Sequence, residues 1–119
     1  VRTGEELQSG MKKLDKIKSD INKVFAHACA QYNPGWNEAL DLNNLIVTAE
    51  AVTRSAILRK ESRGAHTRID FEGERKEGLD YNVVIIKTDS GMHAEKINRE
   101  EPPNELRKIA FSALEDLEN

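Results

Sequence analysis

The first thirty residues carry a single apolar stripe on a polar background. Apolar residues recur at steps of three and four positions, at Leu7, Met11, Leu14, Ile17, Ile21, Val24 and Ala28. This spacing places them on one face of a helix and leaves lysines and acids on the other face. Thr3 and Glu6 have the spacing of a capping box, which begins a helix. The pattern predicts a first amphipathic helix of about eight turns.

A second helix is predicted after a break at residues 31–36. Proline and glycine at Pro34 and Gly35 stop the first helix and turn the chain. A broader, alanine-rich stripe follows, at Leu40, Leu42, Leu45, Ile46, Ala49, Val52, Ala56 and Ile57. We expect this helix to begin near Asn37, to run to about Arg63 and to end at Gly64. The short connection predicts that the two helices are antiparallel, so residues 1–64 form a helical hairpin.

The period of the pattern changes in the last third of the chain. Residues 65–80 are polar and contain two glycines, which predicts a surface loop. Residues 81–87 are rich in β-branched types, residues 88–91 supply a turn, and residues 92–97 return as a second strand. After Pro102 and Pro103, Asn104 can cap a terminal helix over residues 104–118.

These elements predict one domain of 119 residues. Its fold class is mainly α. We expect an antiparallel pair of long helices, as in a spectrin-repeat-like three-helix bundle, with a small β-hairpin at residues 81–98 and a short terminal helix.

Composition narrows the class of protein. Charged residues make up 33% of the chain and hydrophobic residues 38%, which indicates a folded domain with a polar surface. The sequence has neither an apolar run long enough to cross a bilayer nor the pattern of a signal peptide, so we expect a cytoplasmic protein without direct membrane insertion. The single cysteine, Cys29, lies in an alanine-rich pattern that favours a buried thiol.

Charge is distributed unevenly along the chain. The formal net charge of -3 argues against nucleic acid as a partner. Residues 54–68 nevertheless carry five basic side chains against the single acid Glu61, at Arg54, Arg59, Lys60, Arg63 and Arg68. Cations at the end of a helix interact favourably with its dipole. The alternative is that Arg59, Arg63, Gly64, His66 and Arg68 contact another domain or subunit, because guanidinium groups pair well with carboxylates.

The sequence contains no pattern that would form an active site. Its three histidines fall in three different elements, which argues against a metal site. A glycine-rich loop between a strand and a helix, a phosphate-binding lysine and a serine nucleophile elbow are all missing. We therefore predict no catalytic, cofactor-binding or metal-ligating residue in this chain.

Three stretches resemble one enzyme family. The run RKESRGAH at residues 59–66, followed by TRIDF at 67–71, resembles a signature near the C-terminus of succinate dehydrogenase and fumarate reductase flavoproteins. VRTGEELQ at residues 1–8 and WNEALDLNNL at 36–45 resemble the starts of the first two helices of the same C-terminal domain. The resemblance is close over roughly residues 1–71.

The resemblance implies that the chain is a fragment of a larger oxidoreductase and is inactive by itself. In such proteins an FAD-binding domain and a capping domain come first and interconvert succinate and fumarate, and an iron–sulfur subunit accepts the electrons. FAD would be bound outside this chain. The implied partners are those two domains and an iron–sulfur subunit, and the implied location is cytoplasmic or membrane-associated through partner subunits.

Two alternatives remain open. Many family members have a longer insert and a tryptophan-containing stretch before the strand, whereas here Leu79-Asp80-Tyr81-Asn82 leads directly to Val83. Because of this departure, the first alternative is L-aspartate oxidase, a relative with a similar helical C-terminal end. A free-standing helical protein-interaction module is the second alternative. If the chain belongs to a larger protein, a helix face that packs on the missing part should expose apolar residues.

Overall fold

Helix α1 begins where the capping box predicts it. In the computed structural model, which describes residues 1–73 and 76–113, α1 spans Gly4–Asp20. The Thr3 hydroxyl accepts from the Glu6 N–H at 3.2 Å, and the Glu6 carboxylate accepts from the Thr3 N–H at 2.8 Å. These two bonds satisfy amides that would otherwise lack a partner at the helix start.

Helix α1 is shorter than predicted. One 3₁₀ turn at Ile21–Lys23 follows it, and the chain is extended at Val24. The predicted continuation to Ala28 is wrong. The side chains of Val24 and Phe25 stay exposed, and helical turns that bury no apolar face gain little from packing.

Asn33 organises the connection to the second helix. Its side-chain amide donates to the His27 carbonyl at 2.6 Å and to the Cys29 carbonyl at 3.1 Å, while its Oδ1 accepts from the Trp36 N–H at 3.3 Å. Asn33 is thus the N-cap of α2, and α2 begins at Pro34, three residues earlier than predicted. Proline fits this first helical position because its missing N–H would have no helical partner there. Cys29 is exposed, so the predicted buried thiol is wrong.

Helix α2 spans Pro34–Leu58 and packs on α1. Lys18, near the end of α1, donates to Glu50 of α2 at 2.8 Å, whereas Met11 lies beside Ile57. The helices are therefore antiparallel, and α1 covers only the second half of α2. Arg54 also binds Glu50, at 2.8 Å.

Helix α2 ends earlier than the predicted Arg63. Arg59 is already extended, with φ −82° and ψ 100°. Gly64 has φ +58°, but it lies in a tight turn in which Arg63 and His66 exchange backbone hydrogen bonds of 2.9 and 3.1 Å. The left-handed conformation that suits glycine is therefore used in this turn, and the predicted helix end at Gly64 is wrong.

The segment predicted as a surface loop, residues 65–80, is partly internal. His66, Arg68 and Gly78 are buried against the end of α2 and against Glu61. A short 3₁₀ helix at Lys76–Leu79 leads into the sheet. The polar composition of the segment did not predict this burial. A polar segment can also be buried when its polar groups are hydrogen-bonded inside the protein.

The β-hairpin forms as predicted. Strand β1 spans Tyr81–Thr88 and strand β2 spans Gly91–Asn98, paired antiparallel from Tyr81 with Asn98 to Thr88 with Gly91. Both strands contact α2. Helix α3 follows at Asn104–Phe111, with Pro103 at the N-cap position, so Asn104 does not cap it as predicted. The terminal helix was predicted to run to residue 118, but α3 ends at Phe111 because the chain is extended at Ser112. Residues 114–118 of that prediction lie outside the described residues.

The described residues bury very little apolar surface. Their buried hydrophobic residues are Ile46 and Ala56, whereas the buried polar residues are Glu50, Glu61, His66 and Arg68. The radius of gyration is 20.5 Å, against about 13–14 Å for a compact domain of this length. The fold is helix-rich with a two-stranded antiparallel sheet. Polar contacts join the end of α2 to the segment after it.

Candidate functional site

The polar contacts concentrate in one group of side chains, which we call the arginine–carboxylate cluster: Arg59, Glu61, Arg63, His66, Arg68 and Asp70. All six follow the last turn of α2. The macrodipole makes this helix end negative, so arginines there are favourable. The cluster contains most of the residues that the basic run suggested as a site.

Arg68 is at the centre of the cluster. Its side chain is 3% exposed and binds Asp70 through two bonds, Nε to Oδ1 at 2.7 Å and Nη2 to Oδ2 at 2.6 Å. Its third nitrogen, Nη1, donates to the carbonyls of Ala56 at 3.1 Å and Arg59 at 3.3 Å. These are carbonyls at the end of α2, so Arg68 satisfies acceptors that the helix leaves open.

Asp70 carries the connection to the other helix. Its Oδ2 accepts from the Gly4 N–H at 2.9 Å, at the first residue of α1. The pair with Arg68, together with this amide, lowers the pKa of Asp70 well below its ordinary value. A negative charge is favourable at a helix N-terminus and a positive charge at a C-terminus. One ion pair therefore complements both helix ends at once.

Gly4 allows this close approach. A Cβ atom at position 4 would lie 2.8 Å from Arg68 Nη2 and 3.1 Å from Asp70 Oδ2. The backbone nearby is also fixed, because Arg2 and residues 67–69 form a parallel bridge in which the Arg2 N–H donates to Thr67 at 3.2 Å. The second half of the motif, at residues 67–70, is thus joined to the first residues of the chain.

Ser62 holds the motif segment in its fold. Its hydroxyl accepts from the Arg68 N–H at 2.8 Å and donates to the Phe71 carbonyl at 2.8 Å. The Ser62 N–H donates to the Gly73 carbonyl at 3.1 Å. The Ser-Arg-Gly-Ala-His sequence can therefore fold back on itself without leaving these backbone groups unpaired.

Glu61 is the most deeply buried side chain of the cluster, at 1% exposure. Its Oε1 accepts from Arg59 Nε at 3.0 Å and Nη2 at 2.9 Å, and from Arg63 Nη2 at 3.3 Å. Burial raises the pKa of Glu61, but the bonds from Arg59 and the nearby guanidinium charges outweigh it, so the pKa is lowered overall. Glu61 is thus a carboxylate that holds the two arginines together.

Gly78 covers the other oxygen of Glu61. A side chain at position 78 would overlap the Glu61 carboxylate, and the Gly78 carbonyl accepts from Arg63 Nη2 at 2.9 Å. Glu61 Oε2 and Arg63 Nε are buried without a hydrogen-bond partner in the described part of the chain. The carboxylate is therefore enclosed by protein atoms.

The ring of His66 is neutral. It is buried, and its Nε2 lies 3.2 Å from the Arg59 carbonyl, a geometry in which the neutral ring donates this hydrogen bond. Burial lowers the pKa of His66, and the charges of Arg59, Arg2 and Arg68 lower it further. An imidazole in this position holds the turn after α2.

The five residues predicted as interdomain contacts separate into two groups. Gly64 is exposed at the tight turn, and the side chains of Arg59 and Arg63 are 27% and 34% exposed. His66 and Arg68 face the inside of the chain. Their role as contacts stays a prediction.

The acidic members of the cluster were not predicted from the sequence. Glu61 and Asp70 each lie two residues from an arginine that they bind. This alternation of acidic and basic residues in the motif could have indicated the ion pairs.

The described residues do not fit FAD or a metal. Their sheet is a two-stranded antiparallel hairpin, whereas dinucleotide sites use a parallel strand–helix–strand unit with a glycine-rich turn. A group of three or more side chains suited to a metal does not occur among residues 1–73 and 76–113. The carboxylates of the cluster form ion pairs with its own arginines.

Comparison with known sequences decides the family. The sequence profile described as "Fumarate reductase flavoprotein C-term" matches residues 1–111. The chain belongs to this family. The match includes both helices of the hairpin, the whole cluster, the β-hairpin and α3.

Relatives of this flavoprotein C-terminal chain are much longer proteins. A fumarate reductase (CoM/CoB) subunit of Methanothermobacter marburgensis is 38% identical over 77 residues, which are 65% of this chain and 14% of that protein. A mitochondrial succinate dehydrogenase [ubiquinone] flavoprotein of Xenopus laevis is 40% identical over 86 residues, 71% of this chain and 13% of that protein. L-aspartate oxidase of Yersinia pestis is 32% identical over 71 residues, 60% and 12% respectively.

A solved structure shares the fold. The Mycobacterium smegmatis Sdh1 complex in the apo form contains a chain that matches 98% of this one with a TM-score of 0.77 and 26% identity. The match covers 20% of that chain. The flavoprotein C-terminal chain thus spans about a fifth or less of the proteins it resembles.

Proposed function

We propose that this chain is the C-terminal domain of an FAD-dependent flavoprotein that interconverts succinate and fumarate, and that it contributes no catalytic residue. The match of the flavoprotein C-terminal profile over residues 1–111 carries this proposal. FAD and substrate would be bound by other parts of the protein. The pairing of Arg59, Arg63 and Arg68 within the chain supports this assignment of roles, because these cations already bind Glu61 and Asp70.

The domain's role is to pack on the flavin-binding part of the protein. Its first helix covers only the second half of α2. Apolar side chains remain exposed along α2, at Trp36, Leu40, Leu45, Val47 and Val52. Exposed apolar surface of this extent is typical of an interface. The small buried core supports the same conclusion, since the domain gains much of its stability from what it packs against.

The cluster shapes the end of α2 that faces the rest of the protein. Arg59, Arg63 and Gly64 present the exposed side of the motif, and His66 and Arg68 fix that side from within. In this proposal the first three make interdomain or subunit contacts, and the last two act by holding the turn and the helix ends.

Helix α3 also packs on other parts of the whole protein. Leu106, Ile109 and Phe111 are exposed on α3, so a three-helix bundle of the spectrin-repeat kind would form only when this helix meets further residues.

Among the described residues, no helix combines the length and the apolar character that a membrane span requires. Electrons would pass to an iron–sulfur subunit, and the enzyme would be cytoplasmic and held at the membrane through partner subunits.

An activity assay of the full-length gene product tests the reaction. Reduced viologen dye and fumarate are supplied, and dye oxidation is followed at its visible absorbance. Fumarate-dependent oxidation by a yellow protein supports the proposal. A full-length protein that binds no flavin and reduces no fumarate would leave the protein-interaction module as the better description.

L-aspartate oxidase is the second candidate. Its support is the similarity to the Yersinia pestis enzyme and the direct passage from Leu79 into β1, without the longer insert. The same preparation distinguishes the two reactions: L-aspartate-dependent formation of hydrogen peroxide would favour the oxidase, and succinate-dependent dye reduction would favour the dehydrogenase.

A further inference from the structure

A shallow groove of about 400 Å³ lies beside the cluster, between α2 and the first residues of the chain. Small apolar side chains and two arginines line most of it: Ala51, Val52, Ala56, Ala65, Arg2 and Arg59. The side chain of Val52 is 56% exposed even though it belongs to the stripe of α2. The groove is thus an apolar surface with cations at its edges.

The charge of the groove is not balanced by the residues that the structure describes. Arg2 forms no ion pair with any described residue, although its backbone is fixed by the bridge to residues 67–69. Arg59 binds Glu61 through Nε and Nη2, which leaves Nη1 available. The lining residues include no carboxylate, and the lowered pKa of His66 keeps that ring neutral.

We propose that this groove receives an apolar side chain flanked by a carboxylate, contributed by another part of the same flavoprotein. Guanidinium groups form strong two-point pairs with carboxylates, and small side chains such as alanine allow another backbone to approach closely. The inference rests on the proposed function, because the relatives carry most of their length outside the matched part.

Other occupants fit the groove less well. A second copy that packed groove to groove would bring two copies of Arg2 and Arg59 together, which is unfavourable. A free inorganic anion would pair with the arginines but leave the apolar floor in water. A segment that carries both an apolar side chain and a carboxylate satisfies both parts of the surface.

Cysteine labelling of the full-length gene product tests the proposal. In a Cys29→Ser background, Val52→Cys reports on the groove and Lys12→Cys is the control. Lys12 is exposed on the polar face of α1, outside the apolar surfaces assigned to an interface, and Val52 is 56% exposed in this chain. A maleimide reacts with the native protein, and mass spectrometry measures the rate at each site. Arg2→Glu and Arg2→Lys are then added to both reporters.

An occupied groove predicts that residue 52 reacts about tenfold more slowly than residue 12. Arg2→Glu should restore fast labelling at residue 52 alone, whereas Arg2→Lys should keep most of the protection. Equal labelling at both positions in a flavin-containing protein would overturn the groove proposal and leave the proposed function standing. Protection that survives Arg2→Glu would refute an acidic occupant, and protection that grows with protein concentration would indicate a second copy. Absence of flavin would instead refute the proposed function.

Discussion

Arg68 and Asp70 form a two-point ion pair that ties the end of α2 to the start of α1. Arg68 reaches the Ala56 carbonyl, and Asp70 reaches the Gly4 amide, 2.9 Å away. The pair thus joins two helix ends that are more than fifty residues apart in the chain. Because only two hydrophobic residues are buried among those described, we expect this connection to contribute substantially to the stability of the fold.

Removing the guanidinium of Arg68 should therefore be costly. Arg68→Ala loses buried, charge-assisted hydrogen bonds and should lower the free energy of unfolding by about 2–4 kcal/mol. Arg68→Lys should also destabilise, because an ammonium group cannot bind Asp70 and two carbonyls in the same planar arrangement. Urea denaturation followed by circular dichroism measures both.

Arg107→Ala is the control for this pair of variants. Arg107 binds Glu101 at 3.2 Å on the surface, where an ion pair contributes at most about 1 kcal/mol. A variant of Arg68 that is as stable as the Arg107 variant would contradict the structural role of the cluster.

Stability should fall in acid through Asp70. Its pKa is lowered in the folded chain, first by the bond from Arg68, from an ordinary value of 3.8. A carboxylate whose pKa is lower when folded stabilises the fold above its unfolded pKa, and this contribution is lost as pH falls through the folded pKa. The wild-type chain should therefore lose stability from about pH 4 downward.

Asp70→Asn isolates this contribution. The amide keeps the shape of the side chain but has no charge to lose, so the difference in urea midpoint between wild type and variant should be largest at pH 6 and clearly smaller, though not abolished, at pH 3. A difference that stays constant over this range would argue against the Arg68–Asp70 pair. Glu50 and Glu61, whose pKa values are also lowered, remain in both proteins and cancel in the comparison.

Two glycines should respond in opposite directions to the same change. Gly10 lies inside α1 with no atom within 4 Å of an added Cβ, so Gly10→Ala should stabilise by about 0.5–1 kcal/mol. At Gly78 the added methyl group overlaps the buried Glu61 carboxylate, and Gly78→Ala should destabilise by about 1–3 kcal/mol. Thermal unfolding of the two variants is the measurement. Similar melting temperatures would show that Glu61 is not packed under Gly78.

The helix interface should depend more on Glu50 than on Lys18. Glu50 is 3% exposed and binds both Lys18 and Arg54, whereas the Lys18 side chain is 53% exposed. Glu50→Ala should cost about 1–3 kcal/mol, since it removes two charge-assisted bonds at a buried site. Lys18→Ala should cost less than about 1 kcal/mol, because Arg54 still pairs with Glu50. Equal losses in urea denaturation would contradict this arrangement.

Local patterns predicted the elements better than their ends. The capping box at Thr3 and the change of period before Tyr81 located α1 and the hairpin, because both signals are local. The lengths of the helices were overestimated. Helix α1 ends at Asp20 since its stripe finds no packing partner beyond it, and α2 ends at Leu58 because Arg68, distant in sequence, takes the last carbonyls.

The candidate site was located but its internal pairing was not predicted. The excess of basic residues identified residues 59–68, and the resemblance identified the family that the profile match then confirmed. The partners Glu61 and Asp70 could not be inferred, because which acid an arginine binds depends on how the segment folds back. Burial of His66 and Arg68 was missed for the same reason.

The central claim is that this domain supports a flavoenzyme without taking part in its chemistry. It is tested most directly by measuring flavin content, from the visible absorbance spectrum, of this chain and of the full-length gene product purified in parallel. The claim predicts a colourless chain and a full-length protein with one flavin per polypeptide. Stoichiometric flavin on the 119-residue chain would contradict it.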